Sequence, residues 1–345
     1  MTGGARISPR SAAGGTLDPV QRWYGIEQVP ADLPGSVVTI GNFDGVHLGH
    51  QAVLAEVVAT ARAQAVPAVA LTFDPHPAQV HRPESAPELL TGLTDRLDLL
   101  AATGIDATCV IAYTEEFAAQ SPEEFVRRYL VEALAVQAVV VGEDVRFGAD
   151  NAGDRTTMTA LGRRWGFEVR IADDVVADGQ RRWSSTWVRE LLAAGDCAGA
   201  SQVLGRPHRM RGRVVHGEAR GRMLGFPTAN LATSATGTIP ADGVYAGWLL
   251  RSPGPGEQRM PAAISIGTNP TFDGQVRQVE AHVLGRTDLD LYGEDVVVEF
   301  VRRLRPTLRF DGIDPLVEQM REDVVEAADA LGVDRPAVLP ALQQP

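Results

Sequence analysis

From Ser36 onward, short apolar runs alternate with amphipathic stretches: SVVTIGNFD, HQAVLAEVVATARAQ, PAVALTFD, RLDLLAATG, ATCVIAY, a helix opening at Pro122, and QAVVVGE. This alternation leaves few folds, because parallel strands need crossover connections, and crossover helices cover both faces of the sheet. The N-terminal part is expected to be an α/β, doubly wound, Rossmann-like domain. Its helix at Pro122 is well marked: Ser121 can cap it, Pro122 suits the first turn, and Glu123 and Glu124 meet the positive end of the helix dipole.

After Leu204 the pattern changes. RGRVVHG, GVYAGWLL, PAAISIG, QVEAHVL and EDVVVEFVRRL are β-type runs divided by Gly/Pro-rich turns, and one helix follows from about Asp314 to Leu331. These predict a C-terminal antiparallel β-barrel with a closing helix. Ser252-Pro253-Gly254-Pro255-Gly256 reads as a hairpin loop. A helical stretch from Thr186 to Leu204 precedes the break at Gly205-Arg206-Pro207, so the domains are expected at 20–204 and 205–345, with residues 1–19 as a disordered tail. A chain of 345 residues is long enough for two such cores.

Composition excludes several chemistries. A net charge of −12 opposes binding to a phosphate backbone, so no nucleic-acid partner is expected. No apolar run approaches the roughly 18 residues of a membrane span, which argues against a membrane partner. Cys109 and Cys197 are too few and too distant for a disulfide framework or a metal quartet. A cytoplasmic protein with small-molecule partners is expected, and a homo-oligomer is compatible with all of this. The chain also contains no lysine, which removes the Walker P-loop, Schiff-base catalysis and the protein-kinase lysine. Phosphate chemistry here must rest on Arg, His, Mg²⁺ or backbone N–H groups.

Two regions carry residues suited to such chemistry. Gly41-Asn42-Phe43-Asp44-Gly45-Val46-His47-Leu48-Gly49-His50 sits where a buried strand becomes a helix, the edge at which open α/β sheets bind ligands. His47 and His50 share one face of the first turn, and Gly49 keeps the backbone open, so cationic or hydrogen-bonding imidazoles can meet a polyphosphate at the helix start. Arg182-Trp183-Ser184-Ser185-Thr186-Trp187-Val188-Arg189 is a second strand-to-helix transition, where Arg189 can neutralise developing charge. Phe73-Asp74-Pro75-His76-Pro77 and Gly142-Glu143-Asp144-Val145-Arg146-Phe147-Gly148 end predicted strands facing the same crevice.

In the second domain, Gly221-Arg222-Met223-Leu224-Gly225 can fold over phosphates as a lid, with Phe226-Pro227 stiffening its base. Thr228 and Asn230 point the same way along an extended chain and offer hard oxygens suited to Mg²⁺ carrying ATP phosphates. Glu280 can accept a hydroxyl proton. Each string also has an ordinary reading when isolated: an Asp-Gly turn, a helix cap, a β-turn, a solvated strand acid.

Taken together and in order, GNFDGVHLGH, FDPHP, VGEDVRFG and SSTWVR resemble the FMN adenylyltransferase module of the bifunctional bacterial riboflavin kinase/FAD synthetase family. GRMLGFPTANL, GVYAG, SIGTNPTF, VEAHVL and DLYG resemble the riboflavin kinase module that follows it there. The resemblance implies ATP-dependent phosphorylation of riboflavin to FMN in the barrel, then adenylylation of FMN to FAD with release of pyrophosphate. It implies catalytic roles for His47, His50, Arg189 and Glu280. It assigns ATP in the adenylyltransferase to Gly41, Asn42, Phe43, Asp44, Gly45, Gly49, Arg182, Ser184, Ser185 and Thr186, and flavin to Phe73, His76, His81, Asp144 and Phe147. In the kinase it assigns ATP to Gly221, Gly225, Phe226, Pro227 and Asn230, and Mg²⁺ to Thr228 and Asn230. The chain departs from the family in the extra tail before Val20, in Val145 where relatives commonly carry an aromatic, and in His81 where some place Phe against the flavin.

Two rival readings stand beside this one. The first is another HxGH nucleotidyltransferase acting on a different phosphorylated substrate, with a non-catalytic binding barrel. The second is an RNA-binding relative of class I aminoacyl-tRNA synthetases, against which the acidic balance and missing lysine argue.

Overall fold

A computed structural model describes residues 20–172, 176–177, 181–217, 221, 224–251, 256–271 and 274–337, without the side chains of 176–177 and 269–276. The tail 1–19, Arg222 and Met223 of the proposed lid, and residues 252–255 of the hairpin loop lie outside the described residues. The chain divides into two compact units, one comprising residues up to Pro87 with Leu93–Trp183, the other Glu88–Gly92 with residues from Ser184 onward.

In the first unit, strands β1 (Gln21–Tyr24), β2 (Ser36–Ile40), β3 (Ala68–Asp74), β4 (Ala107–Ala112), β5 (Val136–Gly142) and β6 (Glu168–Ala172) form a six-stranded sheet ordered β1-β4-β3-β2-β5-β6. Every neighbouring pair is parallel. The connecting helices are α1 (Leu48–Gln64), α2 (Pro77–His81), α3 (Leu93–Ala102), α4 (Glu115–Ala118), α5 (Pro122–Phe125), which runs on into π-helical turns at Val126–Ala133, and α6 (Arg155–Trp165). Alternate strand residues feed two separate cores. Val38, Val69, Leu71, Val139 and Val141 pack with Phe125, Leu130 and Met158 on one face. Val37, Ala68, Ala70, Ala138 and Val140 pack with Leu54, Val57, Ala61 and Leu100 on the other. Burial on both faces explains why the strands read as continuous apolar runs.

The strand order reverses beside β2, with β3 on one side and β5 on the other. The carboxyl ends of β2 and β5 therefore flank a switch point, and they lead into Gly41–His47 and Gly142–Gly148. β7 (Val176–Ala177) and β8 (Arg181–Arg182) form a short antiparallel ribbon before the SSTWVR segment.

The second unit opens with α7 (Ser185–Ala193) and α8 (Cys197–Leu204). The single helix expected over 186–204 is broken at Gly195, whose φ of 79° leaves the helical region, and Asp196 then caps α8 by accepting the Gly199 N–H at 2.8 Å. Strands β9 (His208–Val215), β10 (Ala229–Leu231), β11 (Gly243–Arg251), β12 (Gln258–Thr271), β13 (Gly274–Val283) and β14 (Asp295–Arg305) close into a barrel ordered β10-β13-β12-β11-β14-β9. Every neighbouring pair is antiparallel. Helix α9 (Ile313–Leu331) closes it, with Ala327 and Ala328 packed on Ala246 and Leu284. The Arg305 fork holds Asp323 through two bonds of 2.7 Å each, tying β14 to α9.

Candidate active sites

At the switch point, Gly41 still donates to the Leu71 carbonyl of β3 at 3.1 Å. The chain then turns through three positive φ angles: Phe43 (48°), Gly45 (81°) and Val46 (41°). Left-handed backbone is costly for a β-branched residue and persists only where its surroundings impose it. Phe43 and Val46 are each 2% exposed, and the Gln51 amide donates to the Val46 carbonyl at 2.8 Å.

This turn delivers His47 as the N-cap of α1, its Nδ1 accepting the His50 backbone N–H at 3.4 Å. An accepting Nδ1 leaves the imidazole proton on Nε2. The His47 and His50 rings stack with centroids 3.7 Å apart, and Phe43 meets His50 edge-on at 5.4 Å. A Cβ on Gly49 would come within 3.1 Å of the His47 ring and 3.5 Å of the Trp183 carbonyl. Glycine therefore makes the room that the His47 ring occupies.

Burial, with the charge of Arg182 adding to it, pushes the His47 pKa down to about 4. Burial, His47 and Arg182 hold His50 well below the ordinary histidine range. Both imidazoles are neutral near pH 7, so they act as hydrogen-bonding groups rather than cations. The His50 Nδ1 is buried and has no hydrogen-bond partner among the described residues. Arg182, whose charge acts on both rings, lies 2.7 Å from Asp144. That bond holds the Asp144 carboxyl below its usual range. Asp44 is 2% exposed, set inside the turn.

An aromatic depression opens beside the turn. Asn42, His76, His81 and Tyr113 line one end, whose space, open mouth included, is about 1120 Å³. Phe73, Tyr113, Phe117, Phe125 and Phe147 line the other. Their rings interlock: Phe73 lies 5.5 Å from Tyr113, and Phe125 lies 5.9 Å from Phe147. Such walls suit a flat aromatic ligand. His76 caps α2, its Nδ1 accepting the Ala78 N–H at 3.1 Å. His81 Nε2 pairs with the Tyr113 hydroxyl at 2.8 Å. Asp144 is not among the lining residues, and half-buried Val145 packs against the core that holds Phe125 and Phe147. Sequence reasoning missed Tyr113, Phe117 and Phe125. The usable signal was Tyr113, the first residue past the carboxyl end of β4.

In the second unit, Ser184 caps α7, its Oγ accepting the Trp187 N–H at 3.2 Å, and Ser185 and Thr186 begin the helix. Arg189 donates through Nε to the Glu88 carbonyl at 2.7 Å. The structure thus gathers His47, His50 and Arg182 in the first unit, and places Ser184, Ser185, Thr186 and Arg189 in the second.

On the barrel, Asn230 of β10 stands opposite Glu280 of β13. Thr228 Oγ1 donates to Glu280 Oε2 at 3.1 Å, and the Asn230 amide donates to Thr228 Oγ1 at 3.3 Å. A Cβ on Gly217 would lie 2.6 Å from the Asn230 side chain, so that close approach requires glycine. The loop before β10 is closed by the Phe226 N–H on the Gly221 carbonyl at 2.8 Å, with Gly225 at φ 89°. His282 meets the Pro227 carbonyl at 2.9 Å through Nδ1, and its burial lowers its pKa, so the neutral ring donates. A groove lined by Val214, Thr228, Ala281, Arg286, Leu291 and Tyr292 opens beside this cluster. His282, Arg286 and Tyr292 were not singled out from sequence.

Comparison with known proteins bears on both sites. A FAD synthetase family profile matches residues 29–187, and a riboflavin kinase profile matches residues 204–331. A bifunctional riboflavin kinase/FMN adenylyltransferase of Escherichia coli K12 is 37% identical over 91% of this chain and 98% of its own length. The protein of that name from Pseudomonas fluorescens is 38% identical over 88% and 95%. A solved structure described as the macrolide-efflux protein from Streptococcus pneumoniae superposes with a TM-score of 0.78 at 30% identity, covering 89% of this chain and 97% of that one. No helix among the described residues is long and apolar enough to cross a membrane. With the histidine pair in a FAD synthetase match and the Thr228–Glu280 cluster in a riboflavin kinase match, the chain belongs to the bifunctional riboflavin kinase/FMN adenylyltransferase family.

Proposed function

We propose that this chain makes FAD in two steps: riboflavin is phosphorylated to FMN in the barrel, and FMN is adenylylated at the switch point of the parallel sheet. The observation that carries the reading is the presence in one chain of a stacked His47–His50 pair under the charge of Arg182 and a bonded Thr228–Glu280 pair. The functional halves are taken as 20–204 and 205–345, which keeps α7 and its Arg189 with adenylyl transfer. ATP serves both steps, and the cytoplasm is taken as the site of action. The two buried, unpaired cysteines support a reducing compartment.

In adenylyl transfer, an FMN phosphate oxygen attacks the α-phosphorus of ATP and pyrophosphate leaves. Neutral His47 can present its Nε2–H to a phosphate oxygen, and His50, stacked on that ring, is assigned beside it. Arg182 and Arg189 are assigned to the charge on the departing pyrophosphate. No covalent intermediate on the protein is needed, so orientation and charge stabilisation carry the rate. The aromatic depression is assigned to the flavin ring, with Phe73, His76, His81 and Phe147 among its walls.

In the kinase step, Glu280 takes the proton of the riboflavin 5′-hydroxyl as it attacks the γ-phosphorus, the bond to the bridging oxygen breaks, and ADP leaves. Thr228, donating to Glu280, holds one carboxylate oxygen in place. The described residues hold no cluster of three His, Cys, Asp or Glu for a metal. A magnesium ion carried mainly by phosphates and waters needs few protein oxygens, so the hydroxyl and amide oxygens of Thr228 and Asn230 fit it. When bound there, it would neutralise phosphate charge. Incubating the purified chain with riboflavin, ATP and Mg²⁺ and separating the flavins tests the reading: FMN and then FAD are expected, and absence of either product refutes the corresponding half.

A further inference from the structure

Arg96 is an arginine inside the sheet domain. It belongs to α3 and is 1% exposed. One end of its guanidinium donates to the Asn42 carbonyl at 3.2 Å, and the other donates to the Phe73 carbonyl at 2.9 Å. Asp74 lies 3.6 Å away, and Asp44 also acts on it electrostatically. Its Nε has no hydrogen-bond partner among the described residues. Burying a guanidinium is costly, and here the cost is offset by two carbonyl acceptors and two nearby carboxylates.

The geometry here is particular. β2 and β3 run in register as far as Ile40 and Leu71, and Gly41 makes the last ladder bond. Beyond it the Asn42 carbonyl accepts both the Thr72 hydroxyl of β3 at 3.4 Å and the Arg96 guanidinium, which reaches on to the Phe73 carbonyl. Asn42 immediately precedes Phe43, the first left-handed residue of the turn, and Asp44 immediately follows it. Arg96 thus brackets the entry to the strained turn, as Gln51 fixes its exit through Val46.

We propose that Arg96 is a positioning residue for adenylyl transfer, clamping the Asn42 and Phe73 carbonyls so that the left-handed turn presents His47 and His50 in register with the substrates. This rests on the adenylyltransferase reading of that site. A lysine keeps the charge but cannot span two carbonyls with a planar fork.

The test uses full-length chain carrying Arg96→Lys or Arg96→Ala, with FMN adenylylation followed in single turnover under excess enzyme, a rate constant that a reduced folded fraction does not change. Riboflavin phosphorylation by the same preparation reports on the barrel. Arg96→Lys is expected to lower the adenylylation constant by about 10²-fold, the cost of misplacing reacting groups by an ångström. Phosphorylation should be unchanged, and added guanidinium should restore part of the Arg96→Ala loss where equal sodium chloride does not. A wild-type constant in Arg96→Lys, or no recovery of Arg96→Ala by guanidinium, overturns the proposal. Failure of the wild-type chain to adenylylate FMN would instead overturn the functional reading beneath it.

Discussion

The Thr228 hydroxyl donates a 3.1 Å hydrogen bond to the Glu280 carboxylate, so the residue assigned to the metal and the residue assigned to the proton share one bond. Thr228→Ala removes the hydroxyl without changing charge. Riboflavin phosphorylation should fall by about 10²-fold or more, the scale of losing one well-placed transition-state contact. Thr228→Ser, which keeps the donor, should retain most of the rate, and adenylylation of supplied FMN should be unaffected by either change. An unchanged phosphorylation rate for Thr228→Ala at saturating Mg²⁺ would remove the residue from the site.

Arg189 offers a planar fork in a chain that has no lysine. A guanidinium can hold two phosphate oxygens at once, whereas an ammonium is a point charge on a flexible stem. Arg189→Lys should therefore slow FAD formation from FMN while preserving charge, and Arg189→Ala should slow it further. If neither does, the charge on pyrophosphate belongs to Arg182, whose field already reaches both histidines. Arg182→Ala would then carry the loss.

The histidines set a pH dependence with a definite sign. His47 in the first unit and His208 in the second are both pushed by burial from 6.5 down to about 4. Above about pH 6.5 the folded and unfolded chains are alike in leaving these rings neutral. As the pH falls from 6.5 towards 4, the unfolded chain takes up protons that the folded chain refuses, so stability is lost. The loss is on the order of 3 kcal/mol per histidine at the acid end. Urea unfolding midpoints should fall between pH 7 and pH 5, and midpoints that rise would contradict the assigned burial.

Much of this was legible in the sequence because local pattern and global fold agree. The alternation from Ser36 to Gly142 became the parallel sheet, and the β-type runs after Leu204 became the barrel with α9. The histidine pair fell at the β2–α1 junction as the spacing implied. Other features left no periodic trace. β1 is a four-residue edge strand in which only Trp23 is buried, too short to show alternation. Gly195 broke a stretch that otherwise reads as one helix. Arg96 sits in RLDLL, where an arginine is ordinarily solvated, so only its depth beneath Asn42 and Phe73 reveals it. The ion pair between Asp144 and Arg182 joins positions 38 residues apart, a relation no local pattern encodes.

One chain holds two independent chemistries, and the flavins themselves report it. Folded His47→Ala and Glu280→Ala chains are each incubated with ATP and Mg²⁺, once with riboflavin and once with FMN, and the products are separated by chromatography. His47→Ala should convert riboflavin to FMN and stop there. Glu280→Ala should make no FMN from riboflavin yet turn supplied FMN into FAD. Loss of both activities from either single change would contradict the account.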